Sequence, residues 1–368
     1  MTTIFLGADW HIDRRIWKSR RDMDGDTYQA LDRMRQAVLS HPAEHKAVIL
    51  AGDIFNTRKV DGLSLMHVTK FIEDLLDADI TTFFIQGNHD LDSLSALEVQ
   101  GAIPLHKQLV EIGDKRVYGL DWMPREELKR TIQEEVPECD LLVLHCMFTH
   151  LVTFTNAADL ELEDIPGHVG NVLVGDVHVR DIGMLPNGGF CCSPGPLHHC
   201  YFEQHGPHGM YVWGADRLGG GDRLVINTRP ITRFKVPESV EDAEEYLSSI
   251  RDSLLAQSLI PTEEGLEPII EIKTPTAHTA RVEALEQEFK GRFRFFIKRN
   301  NTGKILSNQE LADAREGMGQ MTLLGGLSAF VSIEEEPEVY TLLDELLSTP
   351  DSGDVIRNIV RGVLDAAT

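Results

Sequence analysis

Short apolar runs alternate with polar, helix-periodic stretches along about the first 230 residues. Runs at 3–8, 47–51, 81–86, 116–119, 141–145 and 172–175 have the length and residue types of buried strands. Between them, residues 27–40, 63–76 and 125–135 place apolar side chains every three to four positions, the period of a helix with one buried face. This alternation predicts a layered α/β or α+β domain. Shorter runs at 189–192, 209–212 and 223–227 predict later strands. The turn Leu218-Gly219-Gly220-Gly221-Asp222 separates the last two, which suits a hairpin.

From Pro237 the pattern changes. Residues 240–257 predict a helix with acidic first turns, 268–273 a strand, 279–289 a helix and 292–298 a strand, together a compact βαβ-like module. The tail predicts two amphipathic helices, 338–347 and 354–364, broken by Thr349-Pro350-Asp351-Ser352-Gly353. In the second helix Val355, Ile356, Ile359, Val360, Val363 and Leu364 make one stripe, which fits either docking in a partner groove or closure of its own domain.

The chain has 368 residues, 42 % of them hydrophobic, enough for two domains or one large domain with an addition. No apolar run is long enough to span a bilayer. The segment Met1-Thr2-Thr3-Ile4-Phe5-Leu6 has no basic stretch before its apolar residues, so no signal peptide is expected and a cytoplasmic location follows. Five cysteines without a Cys-x-x-Cys suggest reduced, structural thiols. The net charge of -24 is awkward for a protein that handles nucleic acid, because phosphate attraction rests on Lys and Arg. Two readings fit it. One is an acidic protein with no nucleic-acid partner; in the other, bound cations and a partner subunit supply the attraction.

Five short motifs stand at the C-terminal ends of predicted strands, where α/β proteins place their sites. They are Asp9-Trp10-His11, Gly52-Asp53-Ile54-Phe55-Asn56, Gly87-Asn88-His89-Asp90, His145 and Gly175-Asp176-Val177-His178. Singly each is bland: a turn, or a core histidine. As an ordered set they supply the carboxylates, imidazoles and amide oxygen that hold Mn, Fe or Zn. A carboxylate such as Asp53 has two oxygens and can bridge two ions. Two metals roughly 3.5–4 Å apart would clamp a phosphate and activate a water.

The ordered set resembles the calcineurin-like metallophosphoesterase family, whose pattern is Asp-x-His, Gly-Asp, Gly-Asn-His-Asp or -Glu, His, and Gly-His-x-His. The resemblance implies a four-layer α/β (α+β) sandwich and two divalent metals, with Mn²⁺ expected and Mg²⁺ or Fe²⁺ as alternatives. It implies one metal held by Asp9, His11, Asp53 and His178, and a second by Asp53, Asn88, His145 and residue 176. His89 matches the histidine that assists the leaving oxygen, and Asn56 falls where related nucleases carry a residue supporting it. The family usually has His at 176, whereas this chain has Asp176. Either the second site survives with more carboxylate character or it is weakened. His150 and His168 are nearby in sequence but fit the spacing worse.

Ser193-Pro194-Gly195-Pro196, Tyr201-Phe202-Glu203 and His208-Gly209-Met210-Tyr211-Val212 resemble the segment that follows the last metal motif in SbcD-type exonucleases. That likeness implies a nuclease domain at 1–232, a DNA-capping-like module at 233–305, and a linker with helices at 306–368 for docking on an SbcC-type coiled-coil ATPase. It also implies a DNA substrate, a homodimer, and the cytosol of a bacterium or phage-infected host. The basic residues Arg292, Arg294, Lys298 and Arg299 fit either a DNA-backbone contact or a solvated strand face; Arg292, Arg294 and Lys298 share one alternation parity. Two other readings remain. One is a small-molecule phosphodiesterase or phosphatase of the same fold, favoured by the acidic charge. The other is a scaffold without catalysis, which Asp176 keeps open.

Overall fold

Leu141–His145 is buried along its whole length, as a strand must be when layers cover both of its faces. The computed structural model describes residues 2–14, 26–90, 95–152, 158–200, 207–214, 223–258 and 267–300. The predicted turn at 218–222 and the two tail helices lie outside the described residues. The first sheet contains β1 (Thr2–Gly7), β2 (His45–Ala51), β3 (Thr81–Ile85), β4 (Ile103–Pro104), β11 (His208–Trp213) and β12 (Arg223–Ile226), in the order β12-β11-β1-β2-β3-β4. The second contains β5 (Leu109–Ile112), β6 (Lys115–Gly119), β7 (Leu141–His145), β8 (Val172–Gly175), β9 (Asp181–Met184) and β10 (Phe190–Ser193), in the order β5-β6-β7-β8-β10-β9. In each sheet the central strands run parallel; antiparallel strands close both edges of the second sheet and the β12 edge of the first, whose other edge strand, β4, runs parallel to β3.

Strand alternation sorts the core into layers. On β2, Val48 and Leu50 pack with Leu31, Met34, Val68 and Phe71 from helices α1 (Asp26–Ser40) and α2 (Gly62–Leu76). Ala47, Ile49 and Ala51 turn the other way and meet Val117, Leu141, Val143 and Leu173 of the second sheet. On the far side of that sheet, Leu142 and Leu144 pack with Leu128 and Ile132 of helix α4 (Arg125–Glu134), which follows the short α3 (Ser95–Val99). The result is helix, sheet, sheet, helix: the four-layer α/β arrangement that the resemblance implies. Asp61 caps α2 by accepting from the backbone N–H of Leu63 and Ser64, both at 3.0 Å.

The C-terminal module has a strand more than its sequence pattern predicts. β13 (Ile231–Lys235) pairs in parallel with β14 (Ile269–Pro275), and β15 (Arg294–Asn300) completes a three-stranded sheet. Helices α5 (Val240–Gln257) and α6 (Thr279–Glu288) supply Ala243, Ile250, Leu254, Val282 and Leu285 to its separate core. β13 escaped detection because its residues are only half-buried, so no continuous apolar run marks it. β15 starts at Arg294 rather than at 292. Gly291, at φ 84°, and the Arg292 N–H donating to Phe289 O at 3.1 Å make a tight turn there, so Arg292 lies outside the strand. By contacts, the chain divides into a larger unit, Met1–Lys273 with Ala280–Lys298, and a second of Thr274–Thr279 with Arg299–Thr368. Inside the larger one, the buried Arg229 guanidinium makes a two-point contact with Asp26 at the start of α1 (2.6 and 2.7 Å) and donates to Glu267 O at 2.9 Å.

All five cysteines are buried and free, consistent with structural thiols. Among the described residues, no helix is long and apolar enough to cross a membrane.

The Trp10 ring, between the motif residues Asp9 and His11, is buried edge-on against Phe71 of α2, with centroids 5.0 Å apart at 83°. Phe71→Ala is expected to lower unfolding free energy by about 3–5 kcal/mol, measured by denaturant titration. A loss under ~1 kcal/mol would show that α2 does not brace the Asp9 loop.

Candidate metal centre

The five motifs stand at the C-terminal ends of β1, β2, β3, β7 and β8, and the loops of the two sheets meet at one rim. Backbone hydrogen bonds continue beyond the strand ends. Asp9 N–H donates to Gly52 O (3.1 Å), His11 N–H to Asp53 O (3.0 Å) and Cys146 N–H to Gly175 O (3.2 Å). Among the described residues, seven non-glycine positions have positive φ, and five of them are Asp9, His11, Asp53, Asp176 and His178. Holding so many side chains in a sparsely populated backbone region is the mark of a site whose surroundings over-determine it. Gly87 leaves room for one of them: a Cβ there would lie 2.2 Å from Asp53 Oδ1.

Asp53 is buried at the centre. Its Oδ2 lies 3.4 Å from His11 Nε2, and its Oδ1 lies 3.4 Å from His145 Nε2. Ligand atoms of Asp9, His11, Asp53 and His178 all lie within 4.8 Å of one another. On the other side, Asp176 Oδ1 is 3.8 Å from His145 Nε2. The His11 and His178 Nε2 atoms are 2.8 Å apart, a distance that requires a proton or a cation between two imidazole nitrogens.

The unsatisfied groups are informative. Asp9 Oδ1 accepts from Asp176 N–H at 2.8 Å, while Asp9 Oδ2 is buried with no hydrogen-bond partner. His145 Nδ1 donates to Ala51 O at 2.8 Å, which turns Nε2 toward the centre, also buried and without a hydrogen-bond partner. Asn88 Oδ1 and His11 Nδ1 are in the same condition. Orphaned buried polar atoms are rare because each sacrifices its hydration. Here the oxygens and Nε2 belong to residue types that ligate divalent cations, so the donor set fits a metal.

Electrostatics agree. Burial raises the Asp9 carboxyl to about 8, and burial likewise raises Asp176. Burial works against ionisation of Asp53 too, but the imidazoles of His145, His11 and His89 outweigh it and hold this carboxyl well below its ordinary value. Burial pushes His178 down to about 4 and His11 well below normal, so both present neutral rings. Burial also disfavours charge on His145, but Asp53, then Asp9 and Asp176, carry it up to about 10. Three carboxyls crowded into a dry rim call for positive charge.

An open pocket of about 400 Å³ lies over these groups. It is lined by His11, Arg14, Asp53, His89, Asp176 and His178, with Val177 and Val179 as its apolar part. His89 is exposed to it, and its Nδ1 donates to Asn56 O at 2.9 Å. Support from Asn56 therefore comes through the backbone carbonyl. Its side-chain Oδ1 accepts from Arg14 Nη1 at 3.0 Å.

The other expected residues lie elsewhere. His168 donates to Val136 O at 3.0 Å and His150 packs beside Phe148; neither lines the pocket. Lys298 Nζ pairs with the buried Glu271 at 2.7 Å, as does Arg233 Nε at 2.6 Å, across the three strands of the module. Arg292 donates to Ser258 Oγ at 3.3 Å from its turn, so it does not share a strand face with Arg294 and Lys298. Arg294 and Arg299 are on β15, Arg299 within the second unit.

Sequence reasoning assigned no role to Arg14 or Asp90. The buried Asp90 carboxylate accepts from the N–H of Ile54 (3.3 Å), Phe55 (2.9 Å) and Gly87 (3.0 Å), tying the β2 and β3 loops together. Its place in Gly-Asn-His-Asp was the available signal; Arg14 carried none.

The calcineurin-like phosphoesterase family model matches residues 2–218, and the chain belongs to that family, whose members use two divalent metal ions. Its relatives include proteins described as "DNA double-strand break repair protein Mre11". That of Halobacterium salinarum is 29 % identical over 147 residues, covering 38 % of each chain. That of Sulfolobus acidocaldarius is 24 % identical over 197 residues, covering 49 % of this chain and 50 % of the relative. That of Methanosarcina acetivorans is 29 % identical over 190 residues, covering 46 % and 30 %. The chain thus spans half or less of the length of these curated relatives.

A fitting donor set predicts cation-dependent stability. Mn²⁺ at about 100 times its dissociation constant should stabilise the fold by about 2.7 kcal/mol, seen as a higher Tm that EDTA reverses. Asp53→Ala should abolish the increment. A wild-type Tm indifferent to Mn²⁺ and Mg²⁺ would count against the site.

Proposed function

We propose that the chain is a metal-dependent DNA nuclease, an exonuclease or endonuclease subunit that hydrolyses phosphodiester bonds at DNA ends in recombination and repair. One observation carries the reading: Asp53 turns one oxygen to His11 and the other to His145, amid buried acceptors with no hydrogen-bond partner. In this reading Asp9, His11, Asp53 and His178 hold one cation, and Asp53, Asn88, His145 and Asp176 the other. Mn²⁺ is the proposed ion, with Mg²⁺ and Fe²⁺ as alternatives, and Asp176 adds oxygen character to the second position. When bound, two such ions polarise the phosphoryl oxygens and lower the pKa of a water.

The chain's own groups do the rest. Asp53 fixes the spacing of the two positions. The His89 ring is oriented by Asn56 O, so its Nε2 is the atom left to give a proton to the departing oxygen. Val177 and Val179 form the apolar part of the pocket wall.

DNA as substrate is supported by the names of the relatives. An SbcC-type ATPase as partner, a homodimer, and a DNA-capping role for 233–305 belong to the same proposal. The net charge of -24 makes weak DNA binding by the chain alone part of it, and equally favours the second reading, a small-molecule phosphodiesterase.

The test is hydrolysis of linear double-stranded DNA with Mn²⁺, Mg²⁺ or EDTA, alongside a small chromogenic phosphodiester. Mn²⁺-dependent nucleotide release is expected, lowered about 10²- to 10⁴-fold in His89→Ala. Turnover of the small diester with inert DNA, even with the ATPase added, would favour the second reading. Inertness toward both would sink the catalytic one.

A further inference from the structure

We propose that Arg14 forms a phosphate-binding subsite beside the metal centre, where its guanidinium clamps a non-bridging oxygen of the substrate's phosphoryl group. The inference rests on the phosphoester reading above. Among the residues lining the pocket, Arg14 is the one permanently charged cation. It is not a flexible surface arginine: it is half-buried, and two other segments of the chain hold its guanidinium. It sits on the loop after β1. Its Nε donates to Cys200 O at 2.8 Å and its Nη1 to Asn56 Oδ1 at 3.0 Å. The loop itself is pinned, because the neighbouring Asp13 carboxylate accepts from Asn56 N–H and from Thr57 Oγ1. The guanidinium plane is therefore set before any ligand arrives.

Its place is also informative. Its charge acts on His11 and His178, which puts a cation beside imidazoles that burial already keeps neutral. The other walls of the pocket are histidines, carboxylates and valines. An ionised phosphoryl oxygen is the ligand chemistry that gains most from a fixed guanidinium charge at such a place. The same link explains Asn56. With its carbonyl on His89 and its amide oxygen on Arg14, one residue sets the distance between the group aimed at the leaving oxygen and the group aimed at the phosphoryl oxygen. Asn56 is thus a positioning residue for both.

The experiment is calorimetric titration of the full chain, loaded with Mn²⁺, with inorganic phosphate, for wild type, Arg14→Ala, Arg14→Gln and Arg14→Lys. The Mn²⁺-induced Tm increment and the kinetics on bis(p-nitrophenyl) phosphate are measured in parallel. Arg14→Ala and Arg14→Gln should weaken phosphate binding by about 10- to 100-fold and raise KM for the diester, with the Mn²⁺ increment unchanged. Arg14→Lys should restore part of the affinity, because charge survives but the fork does not.

Equal phosphate affinity in wild type and Arg14→Gln overturns the subsite. So does loss of the Mn²⁺ increment in step with phosphate affinity, which would make Arg14 a brace for the loops. Absence of phosphate binding by the Mn²⁺-loaded wild type overturns it as well. None of these readouts uses DNA. DNA left inert even with the ATPase added, together with Arg14-dependent phosphate binding, would refute the nuclease reading and leave the subsite standing.

Discussion

Three carboxyl groups, Asp9, Asp53 and Asp176, are buried or nearly so at one rim of this fold, and their mutual repulsion is the constraint around which the rest is arranged. In water such a cluster would separate. Here the loops that carry it are fixed by backbone hydrogen bonds and cannot spread. The protein answers with imidazoles of different character. His145 is drawn toward the charged form by Asp53, whereas burial keeps His11 and His178 neutral. The repulsion is thus only partly neutralised, and Asp53 is the pivot because each of its oxygens answers to a different histidine.

The backbone has been shaped to permit this. Five of the site's residues occupy the left-handed region, where a side chain ordinarily costs on the order of 1–3 kcal/mol. Gly52 and Gly87 remove the Cβ atoms that would strike His145 and Asp53. Asp90 then fastens two of the loops from beneath with three accepted hydrogen bonds. The stability that tolerates this comes from the layered core below, where Trp10 and Phe71 anchor the first of the strained loops.

The layered core was legible in the sequence because its central strands are buried on both faces and read as unbroken apolar runs; 141–145 and 172–175 match β7 and β8 to the residue. Helices α1, α2 and α4 announced themselves by period. The half-buried strands did not. β5, β9 and β13 present mixed faces and have no run to find. In the candidate site, the metal-ligating residue types were legible as an ordered set, since each motif stands at the end of a strand. What stayed hidden was anything set by long-range geometry. Lys298 looked available until Glu271 was found beneath it. Asn56 meets His89 through its backbone carbonyl, a contact that residue type does not reveal. Arg14 sat one residue beyond an Asp with no motif to mark it.

The candidate cation positions draw on both sheets. Asp9, Asp53 and Asn88 come from the first, and His145, Asp176 and His178 from the second. Two short bonds already cross between them at this rim, His145 to Ala51 and Asp176 to Asp9. The centre therefore works mechanically as a rivet between two plates. Sliding one sheet along the other would change the separation of the two sides of Asp53 before it disturbed either hydrophobic layer. A force applied to the outside of either sheet would be felt first as a change in the spacing on which the chemistry depends.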